Sequence, residues 1–142
     1  MRYVYPYDLS PEPEGGYTIT FPDVSGAISC AETEAEAAQQ AEDALISMLS
    51  ALVEDGERIP APSLARGRPV VILPALDAAK LALHEAMLDA GISNRELGAR
   101  IGKDEKIVRR LRDPLYKSKI EHVEAALLAL GKRLEISVRQ AA

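Results

Sequence analysis

Apolar and polar positions change period twice along the chain. From Arg2 to Leu9, Tyr3, Tyr5 and Tyr7 alternate with Val4, Pro6 and Asp8, a period of two that predicts a strand, and Pro6 places it at a sheet edge. The stretch from Ser10 to Gly16 supplies a turn, because proline presets φ and the paired glycines allow positive φ. Tyr17 to Phe21 then alternates again, which predicts a hairpin, and Ala27 to Ala31 gives a short third strand. From Thr33 the period lengthens. Ala38, Ala41, Leu45, Met48, Leu49 and Leu52 recur every three or four residues, Thr33 and Glu36 have capping-box spacing, and Gly56 stands where a left-handed cap ends a helix. After a loop rich in Pro and Gly, Val70 to Leu73 reads as a fourth strand, too apolar to be exposed on both faces. The first half is thus expected to be β-β-β-α-β.

Beyond Pro74 the helical period takes over. Asp77 is expected to cap a helix from Ala78 to Ala90 that Gly91 stops, and Ser93 with Glu96 forms a capping box for Asn94 to Ile101. Gly102 turns the chain, Asp104 caps Glu105 to Arg112, and Asp113-Pro114 ends that helix. Ser118 and Glu121 have the spacing of a further box, for a helix whose Ile120, Val123, Leu127 and Leu130 share one face up to Gly131. Leu134, Ile136 and Val138 then alternate with polar residues as in a strand. A lone strand exposes unpaired edges, so these three residues are expected to pair with their copies in a second chain. The class is α+β, with residues 1–76 forming a mixed domain and residues 77–142 an all-α domain that carries a short terminal strand.

Hydrophobic residues make up 47% of the chain and charged ones 27%, enough apolar material for packed cores. No apolar run approaches the roughly 18 residues that span a bilayer, and the start lacks the apolar stretch of a secretion signal, so a cytoplasmic protein is expected. Cys30 is the single cysteine, and His84 and His122 stand apart, which leaves no intramolecular disulfide, metal cage or cofactor motif to predict. Charge changes the picture more. Met1 to Leu76 carries four Lys and Arg against twelve Asp and Glu, net −8, whereas Asp77 to Ala142 carries thirteen against ten, net +3. Arg95 to Lys119 alone has nine basic and four acidic residues, net +5, and is the stretch that would draw in a polyanion.

The same stretch has the spacing of two short helices crossing at a tight corner. Leu97, Ile101, Val108 and Leu111 can form the small core between them, with Gly102 at the bend. Glu105, Lys106, Arg109, Arg110 and Arg112 then face away from that core, as on a helix entering the DNA major groove, where Arg bridges guanine O6 and N7 and Lys neutralises phosphate. Lys103 stands just before this helix, Asn94 and Arg95 at the start of the preceding helix are placed to touch backbone phosphate, and Lys117 and Lys119 extend the footprint. Ser93 to Pro114, with the later Ala-Leu-Leu-Ala-Leu-Gly-Lys-Arg133, resembles the Cro/repressor type of helix-turn-helix. Gly98 stands where that pattern usually has Ala, and Lys103 where an apolar residue follows the turn, which predicts looser packing at the corner.

In the acidic half, three stretches resemble the HicB antitoxin family: Gly15 to Gly26 (Gly-Gly-Tyr-Thr-Ile-Thr-Phe-Pro-Asp-Val-Ser-Gly), Thr33 to Ala38 (Thr-Glu-Ala-Glu-Ala-Ala) and Ile59 to Ser63 (Ile-Pro-Ala-Pro-Ser). That resemblance implies a reduced ribonuclease H-like fold that binds a HicA-like toxin, a small basic ribonuclease that cleaves mRNA. A net −8 suits a partner built to bind RNA. Asp8, Asp23 and Glu32 are the carboxylates to weigh for two-metal nuclease chemistry, but all fall at strand ends or turns, so no enzyme is expected. The tyrosines lack surrounding Lys and Arg, which favours sheet core or a protein interface over base stacking. The expected function is an antitoxin that also represses its own operon as a homodimer on a palindromic operator. The rival is a transcription regulator with a ligand- or protein-sensing first domain.

Overall fold

The alternation at the N-terminus is realised as two short strands rather than one. The structure, a computed structural model, describes residues 2–141. Val4–Pro6 (β1) pairs antiparallel with Val70–Ile72 (β5), while Asp8–Pro11 (β2) pairs with Tyr17–Thr20 (β3), which in turn pairs with Ile28–Ala31 (β4). The ladder changes partner at Tyr7, whose N–H donates to Pro69 O at 3.0 Å. Pro6 has no N–H to give, so the strand does not carry one uninterrupted ladder through this point. The alternation of side chains survives the break: Tyr3, Tyr5 and Tyr7 are all buried.

Between β4 and β5 runs α1, Glu34–Glu54. Thr33 Oγ1 accepts the Glu36 N–H at 3.2 Å, but the Glu36 carboxylate returns to the Glu32 N–H at 3.3 Å, so the predicted capping box closes one residue early. The buried stripe is Ala37, Ala41, Leu45, Leu49 and Val53, a strict four-residue spacing with Ser50 beside it. Ala38 is exposed and Met48 and Leu52 are only partly buried, which corrects the face expected from hydropathy alone. The stripe packs across β3, β4 and β5, with Tyr5, Ile19, Phe21 and Val24 in the same core. The following loop is tied down by polar contacts. Tyr5 OH donates to Pro60 O at 2.7 Å, and Asp23 Oδ2 accepts both the N–H and the hydroxyl of Ser63 at 2.9 Å. β5 is an edge, with Val71 buried and Ile72 68% exposed, so the strand is covered on one face and open on the other, in line with the expectation that it is not exposed on both.

Two compact units result, Met1–Pro74 and Ala75–Ala142. In the second, α2 spans Ala75–Ala90 and begins ahead of Asp77, which lies inside the first turn and does not cap it; there its charge favours the positive helix end. Asn94–Ile101 (α3) opens on the full Ser93/Glu96 capping box, and Glu105–Arg112 (α4) on Asp104, whose Oδ1 accepts the Ile107 N–H at 3.0 Å. Ile120–Ala129 (α5) has no side-chain cap: the Ser118 hydroxyl, expected there, is used elsewhere. Leu83, Met87, Leu97, Val108, Leu111, Val123 and Leu127 form one core from all four helices, with Ile101 and Leu134 against it. Beyond α5 the expected terminal strand is absent among the described residues. Ile136 and Val138 are 65% and 94% exposed, and alternation without a ladder partner makes no strand.

The corner between α3 and α4 is tight, not loose. Gly102 sits in the left-handed region at φ 70°, and Lys103 N–H donates to Gly98 O at 2.9 Å. That bond brings the Lys103 carbonyl so close that a Cβ on Gly98 would lie 2.5 Å from its oxygen. Glycine at position 98 is therefore what lets the corner close.

At the other end of α4 lies a buried cation. Lys80, on α2, is fully buried, and its ammonium donates to Arg110 O at 2.8 Å, Asp113 O at 3.1 Å and Ser118 Oγ at 2.7 Å. Three donors meet three oxygens, two of them backbone carbonyls in the last turn of α4 and at its C-cap, where the regular helical ladder stops. Desolvation outweighs the nearby Asp113 and Asp77 charges and lowers the Lys80 pKa from 10.5 to about 8.

Gly98→Ala should destabilise the second unit by about 1–3 kcal/mol despite the better helix propensity of Ala, read as a lower midpoint in chemical denaturation; an unchanged or raised midpoint would contradict the close approach. The Lys80 side chain should titrate near pH 8 by carbon-detected NMR. Because the folded state releases this proton before the unfolded chain does, Lys80 contributes increasing stability from pH about 8 to about 10.5. The unfolding free energy of wild type relative to Lys80→Met should accordingly grow across that window, and a flat difference would refute the shift.

Candidate nucleic-acid interface

Helix periodicity of about 100° per residue divides α4 into an inner and an outer face. Val108 and Leu111 are buried, whereas Lys106, Arg109 and Arg110 are exposed, with Lys103 exposed in the preceding turn. Arg95 on α3 and Lys117 and Lys119 after α4 are exposed as well. The second unit thus brings seven of the expected cationic positions to its surface.

Arg112 is the exception. It is 8% exposed, and its guanidinium donates from Nε and Nη2 to His84 Nδ1 at 3.1 and 2.7 Å and from Nη1 to Asn94 Oδ1 at 2.6 Å. The expectation that it faces outward is corrected: position 112 lies about 40° around the helix from Val108, on the rim of the core. Burial lowers the Arg112 pKa, but a guanidinium keeps its charge and needs acceptors, which His84 and Asn94 provide. As an acceptor at Nδ1, the His84 ring carries its proton on Nε2. Asn94 is half-buried for the same reason, and its amide is turned inward rather than toward a phosphate.

The outer face is ordered too. Glu105 accepts from Arg109 Nη2 at 2.6 Å and Nε at 3.3 Å, a two-point ion pair one turn apart, with the two side chains 40% and 59% exposed. The hydrogen bond from Arg109 is the main reason the Glu105 carboxyl lies below its usual range, with a smaller contribution from Asn94 Nδ2, which donates to Oε1 at 3.5 Å. Arg110 stacks its guanidinium 5.3 Å from the ring centre of Tyr116. Lys80, His84 and Tyr116 were not singled out as site residues by the sequence. A lysine and a histidine inside the apolar run Ala78 to Met87 were the available signal, since a buried charge needs a partner.

In the first unit the carboxylates weighed for nuclease chemistry serve local structure or lie at the surface. Asp23 holds Ser63, Asp8 lies 3.8 Å from Arg68, and Glu32 is exposed. Among the described residues no three His, Cys, Asp or Glu side chains group so as to hold a metal ion. No helix of the described residues is long and apolar enough to cross a membrane.

Residues 4–82 match the family model of a HicB_like antitoxin of bacterial toxin-antitoxin system. The chain is 40% identical over 133 residues to Antitoxin HicB of Escherichia coli (strain K12), covering 93% of this chain and 96% of that protein. It is 36% identical over 134 residues to Antitoxin HicB 1 of Photorhabdus laumondii, covering 94% and 86%, and 36% identical over 143 residues to Antitoxin HicB of Pseudomonas fluorescens (strain Pf0-1), covering 99% and 97%. These matches run through both units, and they do not favour the ligand-sensing regulator. The chain belongs to the HicB-like antitoxin family of bacterial toxin–antitoxin systems.

Proposed function

We propose that this antitoxin divides two tasks between its units: the acidic first unit binds and neutralises a HicA-like mRNA-cleaving toxin, and the second represses the antitoxin's own operon by binding operator DNA. The observation that carries the second task is α4, which presents Lys106, Arg109 and Arg110 outward on a helix fixed at both ends. We read α3 and α4 as a Cro/repressor-type helix-turn-helix with α4 in the major groove, and Arg95, Lys103, Lys117 and Lys119 as phosphate contacts. The first unit is read as a reduced ribonuclease H-like domain, supported by two small antiparallel sheets with one helix packed against strands of both. Its charge of −8 complements a basic partner.

One reading helix covers too few base pairs for strong specificity, so the operator is read by a two-fold dimer on a palindrome, with helices about 34 Å apart. Leu134, Ile136 and Val138 are the proposed dimer strand: two of them are exposed and their backbone lies outside any ladder, as a pairing segment would be before its partner arrives. The protein acts in the cytoplasm and needs no cofactor or catalysis for either task.

The double variant Arg109→Ala with Arg110→Ala should abolish the gel shift of DNA from upstream of the antitoxin gene while still rescuing growth of cells that express the toxin; loss of both activities would defeat the division of tasks. Removing Leu134 to Ala142 should convert a dimer into a monomer by light scattering, and an unchanged mass would remove the terminal segment from the interface.

A further inference from the structure

An acidic side chain on a DNA-facing helix is a puzzle. Glu105 is 40% exposed on the face that carries Lys106 and Arg109, where phosphate repels a carboxylate and every basic contact gains from its removal. Its surroundings supply the reason. A run of hydrogen bonds leads from the core to the surface: His84 Nδ1 accepts from Arg112, Arg112 donates to Asn94 Oδ1, Asn94 Nδ2 donates to Glu105, and Glu105 grips Arg109. Each link constrains the next. Arg112 can only donate, so it fixes which end of the Asn94 amide points inward and leaves the NH₂ for the carboxylate. The carboxylate, held from behind, binds Arg109 along the edge formed by Nε and Nη2. A guanidinium gripped on that edge is fixed in plane, with its Nη1–Nη2 edge turned away from Glu105.

We propose that Arg109 is the specificity-determining residue for a guanine in each half-site, that Glu105 orients it, and that Asn94 and Arg112 are positioning residues that do not touch DNA. This rests on the operator-binding reading given above. Guanine presents O6 and N7 as paired acceptors in the major groove, the arrangement a planar guanidinium meets with two bonds. An arginine oriented before binding loses less rotamer freedom when it binds than a free one. Lys106, a flexible point charge, suits phosphate instead.

The test is selection of binding sites from a duplex library with a central random segment, using the full chain and its variants, each checked for folding by thermal melting. Wild type should enrich a palindromic motif with a required G·C pair in each half. Arg109→Ala and Arg109→Lys should weaken the preference at that pair by about tenfold, because neither makes the two-point contact. Glu105→Gln should weaken the preference at the same pair while binding random duplex more tightly than wild type does, since one negative charge is gone. Asn94→Ala should relax the same pair to a lesser degree. The inference is overturned if Glu105→Gln keeps the wild-type motif, or if it relaxes a different pair from the one Arg109→Ala relaxes, as direct reading of cytosine by the carboxylate would require. Enrichment of no motif by wild type would overturn the operator-binding reading itself, and this inference with it.

Discussion

The ammonium of Lys80 must find three oxygens inside the second unit, and that requirement fixes where the end of α4 sits against α2. An ammonium offers three donors and no acceptor, and burying it without partners is prohibitive. Arg110 O, Asp113 O and Ser118 Oγ are brought to one point, so α2, the last turn of α4 and the connection to α5 are pinned together. A helix of eight residues has little stability of its own, and its direction is set by what holds its ends. Asp104 fixes the start of α4 and Lys80 its finish. The exposed cations of the outer face are therefore presented by a rigid body.

A second buried cation repeats the solution one turn further along α2. His84 follows Lys80 by four residues and so lies on the same side of that helix, where it accepts from Arg112. α2 thus holds the C-terminal part of α4 at two places, once through backbone carbonyls and once through a side chain. Hydrophobic packing of Val108 and Leu111 brings α4 to the core but tolerates small rotations about its axis. Directional bonds to Lys80 and Arg112 do not, and for a helix proposed to match base edges that distinction matters. The cost is desolvation of two charges, visible as lowered pKa values for both.

The parts legible in the sequence were those governed by local rules. Ser93 with Glu96, Asp104 and Gly102 each act within four residues of themselves, and each does what its spacing predicts. The edges of the buried face of α1 are not legible, because Ala37 and Ala38, like Leu52 and Val53, are both apolar, and only the sheet decides which is covered. The first strand looked continuous because alternation reports side-chain direction, whereas the change of ladder partner at Tyr7 is a backbone event. Ser118 has the spacing of a cap, yet its hydroxyl serves a lysine 38 residues away, which no window of sequence contains. Gly98 was the subtlest case. A glycine in place of alanine suggests slack, but whether a missing methyl leaves a gap or admits a carbonyl depends on the neighbouring turn.

The same reasoning limits what a count of charges can mean. Nine basic residues between Arg95 and Lys119 suggest a broad electrostatic footprint. In the folded unit Arg112 is committed to His84 and Asn94, Arg109 is paired with Glu105, and Arg110 rests on Tyr116. A cation already neutralised or buried contributes less to counterion release than one in open solvent, so on the proposed operator-binding reading the effective number of phosphate contacts is smaller than the number of Lys and Arg. Under the same proposal, what the unit gives up in non-specific attraction it gains in order, because a guanidinium fixed by a carboxylate can tell one base pair from another and a free one mainly senses charge. The net −8 of the first unit acts in the same direction, since a strongly acidic companion on the same chain disfavours casual association with any polyanion.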